Sequence, residues 1–98
     1  MSTTVQSIHF DADSKLVDFI EGKVDKLSQY FDHIIDSEVY LRLDKNTSNE
    51  NKIAEIKVAI PGKELFAKKQ CKTFEEATDL AVEALRRQIR KHKGKISV

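Results

Sequence analysis

Six cations, Arg86, Arg87, Arg90, Lys91, Lys93 and Lys95, fall within the last thirteen residues, RRQIRKHKGKISV, which hold no Asp or Glu. Guanidinium and ammonium groups at this density suit one kind of chemistry, the neutralisation of phosphates, Arg as a bidentate fork and Lys as a point charge. The remainder of the chain has the opposite sign. Of 17 basic and 16 acidic residues, positions 1–85 hold eleven and sixteen, a net −5 against +6 for the tail. The formal total of +1 conceals this dipole. A basic block on an acidic body is the footprint of a polyanion binder. Complementing a helix dipole accounts for two or three cations at a C-terminal end, as Glu75, Glu76 and Asp79 suit the start of the same segment. Six, without interspersed acids for i,i+4 pairing, exceed that need.

Catalytic chemistry finds no matching residues. It requires a nucleophile beside a base, a poised carboxylate pair or a metal. His9, His33 and His92 fall on different segments and share no ligand spacing with one another or with Cys71, so neither a metal site nor a catalytic residue is expected. Cys71, near the end of a strand pattern, reads as a small core residue. Gly22, Gly62 and Gly94 make no phosphate-cradling loop. The chain reads as a non-enzyme with no cofactor and no small-molecule substrate.

Size and composition narrow the class. Ninety-eight residues, 40% hydrophobic and 34% charged, support one α+β-sized core and a soluble surface. No apolar run reaches the roughly 18–20 residues of a membrane span. The N-terminus MSTTVQSIHFDADSK lacks a cationic start followed by an apolar segment, and a single Cys permits no internal disulfide. A cytoplasmic location with no membrane partner is expected.

The elements that must present the cations follow from hydrophobic periodicity. Residues 3–8 read as a short strand. Asp13 can cap a helix over residues 14–31 whose apolar positions Leu16, Ile20, Val24, Leu27 and Phe31 recur at three- and four-residue steps. Gly22 within it suggests a close approach of backbone to a neighbour. Residues 38–44 alternate, with Val39, Leu41 and Leu43 inward; 45–51 is a polar turn; 53–60 alternates through Ala54, Ile56, Val58 and Ile60. Pro61-Gly62 then reverses the chain into a strand over 64–71. Thr73 and Glu76 have capping-box spacing and open a second helix with the stripe Ala77, Leu80/Ala81, Ala84/Leu85 and Ile89. The order β-α-β-β-β-α predicts a two-layer α+β sandwich, a four-stranded mixed sheet with both helices on one face. Tyr40, Arg42, Glu55 and Lys57 would face water on the other.

At 100° per residue, Lys93, Arg86, Arg90, Arg87 and Lys91 share an arc of roughly 160° on the second helix, beside the core-facing Leu85, Ile89 and His92. Lys95 extends the arc if the helix passes Gly94. On the first helix Lys15, Lys23 and Lys26 occupy one flank, and Asp18, Glu21, Asp25 and Asp32 the other. Charges placed for solubility alone would mix. The sorting predicts one cationic edge that can adjoin the second helix's basic face.

KLSQYFDHI (Lys26–Ile34) and LRRQIRKHKGK (Leu85–Lys95) resemble the two signature segments of short-form ribosome hibernation-promoting factors, a family that includes the ribosome-associated inhibitor called protein Y. The resemblance spans nearly the whole chain. It implies the same β-α-β-β-β-α fold, similar to double-stranded-RNA-binding domains, with residues 1–95 as a single ribosome-binding domain and 96–98 as a short tail. It implies binding to 16S ribosomal RNA of the small ribosomal subunit, at the decoding region between head and body. There the protein would block messenger RNA and tRNA and silence translation in stress or stationary phase. By position, the RNA contacts would be Lys23, Lys26, Arg87, Lys91, Lys93 and Lys95; Arg86 and Arg90 join them by geometry alone. Thr73-Phe74-Glu75 departs from the family, which commonly has tyrosine where Glu75 stands. A monomer off the ribosome is expected. The rival readings are a general structured-RNA-binding module and a protein-interaction module that docks its basic helix on an acidic partner or an anionic membrane surface.

Overall fold

The computed structural model describes residues 2–8, 10–45 and 49–96, with backbone alone for residues 2 and 93–96. His9, residues 46–48 of the polar turn and residues 97–98 of the expected tail lie outside the described residues. The order is β1 (Ser2–Ser7), α1 (Ser14–Tyr30), β2 (Asp36–Leu43), β3 (Lys52–Ile60), β4 (Lys63–Cys71) and α2 (Phe74–Ile96).

Local chemistry sets the boundaries. The Asp13 carboxylate accepts from the Lys15 N–H at 3.3 Å at the start of α1. Phe31, in extended backbone, closes the helix by donating its N–H to the Leu27 carbonyl at 2.8 Å. Thr73 Oγ1 accepts from the Glu76 N–H at 3.1 Å and so caps α2, which continues through Gly94 to Ile96. Pro61 and Gly62 join β3 to β4, whose register pairs Ile60 with Lys63. Gly62 has φ of 76°, a backbone setting that glycine adopts without steric cost.

The four strands lie in the order β1-β2-β3-β4. β1 runs parallel to β2, pairing Val5 with Val39; β2–β3 and β3–β4 are antiparallel, pairing Val39 with Ile56 and Ile56 with Ala67. The helical crossover between β1 and β2 is what allows that pair to be parallel. The mixed sheet with helices on one face is the expected α+β architecture. α1 packs against β1, α2 against β3 and β4, and the helices against each other. Ile20, Val24 and Leu27 of α1 and Ala77, Ala81, Leu85 and Ile89 of α2 are buried over Val39, Leu41, Ala54, Ile56 and Val58. No helix among the described residues is long and apolar enough to cross a membrane.

The outer face carries the expected polar set. Arg42 pairs with Glu55, the Lys57 ammonium lies over the Tyr40 ring, and the Tyr40 hydroxyl donates to Glu38. That bond to a carboxylate raises the Tyr40 pKa.

Four expectations fail in detail. Leu43 is 45% exposed, because it ends β2 beyond the area that the helices cover. Leu80 is also 45% exposed: five residues before Leu85 it lies about 140° away around the helix, and Ala81 takes the inward position. Gly22 has nothing within 4 Å of where a Cβ would sit, so no neighbour requires a glycine there. Ile53 is buried as well as Ala54, on the outer face between its register partners Arg42 and Gln70.

Candidate nucleic-acid interface

The charge sorting on α1 has a structural cause. Its acidic flank turns toward β1, where Thr3 Oγ1 donates to Asp25 Oδ1 at 3.0 Å. Its cationic flank turns toward α2. Lys23, Lys26 and Leu27 of α1 and Asp79, Val82, Glu83 and Arg86 of α2 line a shared groove of about 310 Å³. Two helices packed on one sheet face thus bring cations some sixty residues apart in sequence onto a single edge.

Tyr30 is the residue that joins them. Arg86 of α2 lies over its ring, 5.5 Å from guanidinium carbon to centroid, and Arg90 Nε donates to its hydroxyl at 3.4 Å. The first contact is a cation–π interaction, at which arginine stacks without losing its outward donors. The second pushes the Arg90 pKa still higher than the ordinary guanidinium value. Nothing in the charge pattern pointed to Tyr30. A signal was available, since Tyr30 falls between Lys23 and Lys26 on the α1 wheel.

Acids also enter the groove. Lys23 Nζ lies 3.2 Å from Asp79 Oδ1, and Arg86 lies 3.4 Å from Glu83 Oε2 one turn back. The Lys23 and Asp79 side chains are 33% and 51% exposed, so solvent screens the pair and its net worth is within about 1 kcal/mol. The groove is therefore mixed in charge toward the start of α2 and cationic toward its end, where Lys26 and Arg86 line it and Arg90 reaches the Tyr30 hydroxyl.

Six of the eight expected contact residues have described side chains. Lys23, Lys26, Arg86 and Arg90 gather around the groove and Tyr30. Arg87 and Lys91 are exposed on the part of the α2 surface that faces away from the sheet, adjoining Arg86 and Arg90. The Lys93 and Lys95 side chains lie outside the described residues, though the helix carries their backbone onward past Gly94. Lys68 and Lys69, adjacent on β4, point to opposite faces.

Among the described residues no catalytic constellation accompanies this surface. Cys71 is a buried free thiol whose pKa burial pushes up, the opposite of an activated nucleophile. Among the described residues no group of three or more His, Cys, Asp or Glu is placed to hold a metal ion. What the cationic edge can do is bind phosphates.

Known proteins share this sequence and shape. Residues 3–97 match the family described as sigma 54 modulation protein / S30EA ribosomal protein. The ribosome hibernation promotion factor of Bacillus subtilis is 33% identical over 99 residues, covering 99% of this chain and 51% of that protein. The chain thus spans about half the length of that relative. The ribosome hibernation promoting factor of Klebsiella oxytoca is 33% identical over 79 residues, 81% of this chain and 79% of that one. Among solved structures, a ribosomal subunit interface protein from Coxiella burnetii superposes with a TM-score of 0.85 at 21% identity, covering 96% and 99% of the two chains. The N-terminal domain of Thermus thermophilus Protein Y gives 0.78 at 23%, covering 94% and 99%. At such identities the two structures establish the fold.

Proposed function

The chain belongs to the sigma 54 modulation protein / S30EA ribosomal protein family, and on that footing we propose that it binds the ribosome and holds it in a translationally silent, hibernating state. Its relatives are named for ribosome hibernation, and it carries the cationic surface such binding needs. The finer reading is that it seats on 16S ribosomal RNA of the small subunit, in the decoding region between head and body. The contacts are Lys23, Lys26, Arg86, Arg87, Arg90, Lys91, Lys93 and Lys95. The single observation that carries this reading is the junction at Tyr30, which fixes Arg86 and Arg90 of α2 beside the cationic flank of α1.

The mechanism is physical. Each Lys or Arg that meets a phosphate releases condensed counterions, and this release supplies most of the affinity. Folded RNA is distinguished by its shape and backbone, so selectivity comes from the fit of a two-helix edge in a shaped channel. Inhibition is steric: messenger RNA and tRNA cannot enter a volume that protein fills. No bond is made or broken, and the protein acts as a non-enzymatic plug.

Co-sedimentation with purified small subunits tests the reading, with initiator tRNA as competitor. The chain is expected to pellet with the subunit and to be displaced by the tRNA. The variant Arg87→Glu/Lys91→Glu is expected to remain in the supernatant. Pelleting of that variant like the unmodified chain overturns the proposed contact surface, and equal affinity for any RNA duplex of similar length would favour a general RNA-binding module instead.

A further inference from the structure

A second cleft, also about 310 Å³, opens where the cationic edge ends. Among the described residues it is lined by Phe31, His33, Pro61 and His92. Phe31 is buried and forms its floor. The His33 and His92 rings both meet Phe31 near-perpendicularly, at 71° and 86°, with centroids 5.3 and 6.1 Å away. Neither imidazole is therefore stacked flat on Phe31. Pro61, from the β3–β4 turn, supplies an apolar wall.

The cleft and the interface described above are built from neighbouring residues of the same two helices. Phe31 follows Tyr30, whose hydroxyl receives Arg90, and His92 follows the exposed Lys91 on α2. A polynucleotide whose phosphates lie on Lys91 needs to reach one residue further along α2 to meet His92. The lining itself does not suit a phosphate, since Asp32 Oδ1 lies 3.6 Å from His33 Nε2. It suits a flat, polar-edged ring. Rings and proline offer faces for stacking, and His92 together with the His33 nitrogen turned away from Asp32 offers donors or acceptors for a base edge. The volume is at the lower end of the range of ligand pockets, enough for one planar group.

We propose that this cleft takes a single unstacked nucleobase from the RNA bound along the cationic edge, with His33 and His92 as its specificity-determining residues. Single-stranded and bulged segments present such bases, and aromatic side chains, histidine included, are what they stack on. The inference rests on the proposed RNA binding, and it adds a contact that reads bases to a surface that otherwise reads phosphates.

The test uses the full chain and two short oligomers, a single-stranded RNA and the same ribose-phosphate backbone without bases. Imidazole proton resonances of His33 and His92 report occupancy. The base-bearing oligomer is expected to shift both, and the abasic one to bind with similar salt sensitivity while leaving them in place. Equal shifts from the two oligomers, or none from either, overturn the proposal. On small subunits, His33→Ala/His92→Ala is expected to weaken binding roughly tenfold with an unchanged salt slope, and His33→Phe/His92→Phe to recover the stacking share of it without the preference among bases. Affinity equal to that of the unmodified chain also overturns the cleft while leaving the ribosome reading intact. Failure of the unmodified chain to bind subunits would instead remove that reading, and the oligomer comparison alone would then decide the cleft.

Discussion

Single residues of this chain separate fold from function. Gly22 sits in the interior of α1, exposed, with open space where a Cβ would be, so it carries the entropic cost of glycine with no steric return. Gly22→Ala is expected to stabilise the chain by about 0.5–1 kcal/mol, read as a higher urea midpoint at unchanged m-value. A loss of stability would mean that the open space is occupied. Cys71 gives the complementary case. Burial raises its pKa, so the folded state retains the thiol proton at a pH where the unfolded chain has begun to release it. The sign follows: this contribution to stability is whole below the unfolded thiol's pKa and fades as pH climbs through the folded one. Thiol-reactive reagents at mildly alkaline pH are therefore expected to label Cys71 at the rate of global or local opening, many-fold slower than in denaturant. Labelling at the denatured rate would place the thiol on the surface.

At the scale of elements, the helix caps show why most of the fold was legible in the sequence. Asp13 and Thr73 are polar residues set directly before an apolar stripe, and each accepts a backbone N–H of the helix that follows. Thr73→Ala removes the acceptor from the start of α2 and is expected to cost about 1 kcal/mol in denaturant unfolding, while Thr73→Ser is expected to keep most of it. Equal losses from both would point away from the hydroxyl. Strand alternation and the Pro61-Gly62 turn were equally readable, because each is decided by residues within a few positions. Leu43 departs for the opposite reason: its exposure depends on how far the helices reach, which no local pattern encodes, whereas the outward place of Leu80 was decidable from the wheel, about 140° from Leu85. The same limit applied to the site. The cations were visible as types and spacing, but the Tyr30 junction and the Lys23–Asp79 pair arise only when α1 and α2 are laid side by side.

The whole molecule is organised as a dipole. α1 turns its acids toward β1 and its cations toward α2, and α2 adds the basic end that outweighs the acids at its start. This arrangement steers the protein toward a polyanion with one edge leading, which a near-zero net charge would not do. A phosphate-led interface predicts a steep salt response: with about six to eight of the named cations meeting phosphates, subunit affinity is expected to fall by ~10³–10⁴ between about 50 and 200 mM salt. The slope should also depend on where charge is removed. Reversing Arg87 and Lys91 deletes two phosphate contacts and is expected to lower the magnitude of the log–log slope by about two. Lys57→Glu/Lys68→Glu makes the same change in net charge on the outer sheet face, and is expected to leave the slope near its original value. Equal flattening by both pairs would mean that overall charge governs association and that the two-helix edge has no special part in it. A flat salt response in the unmodified chain would contradict phosphate-led binding altogether.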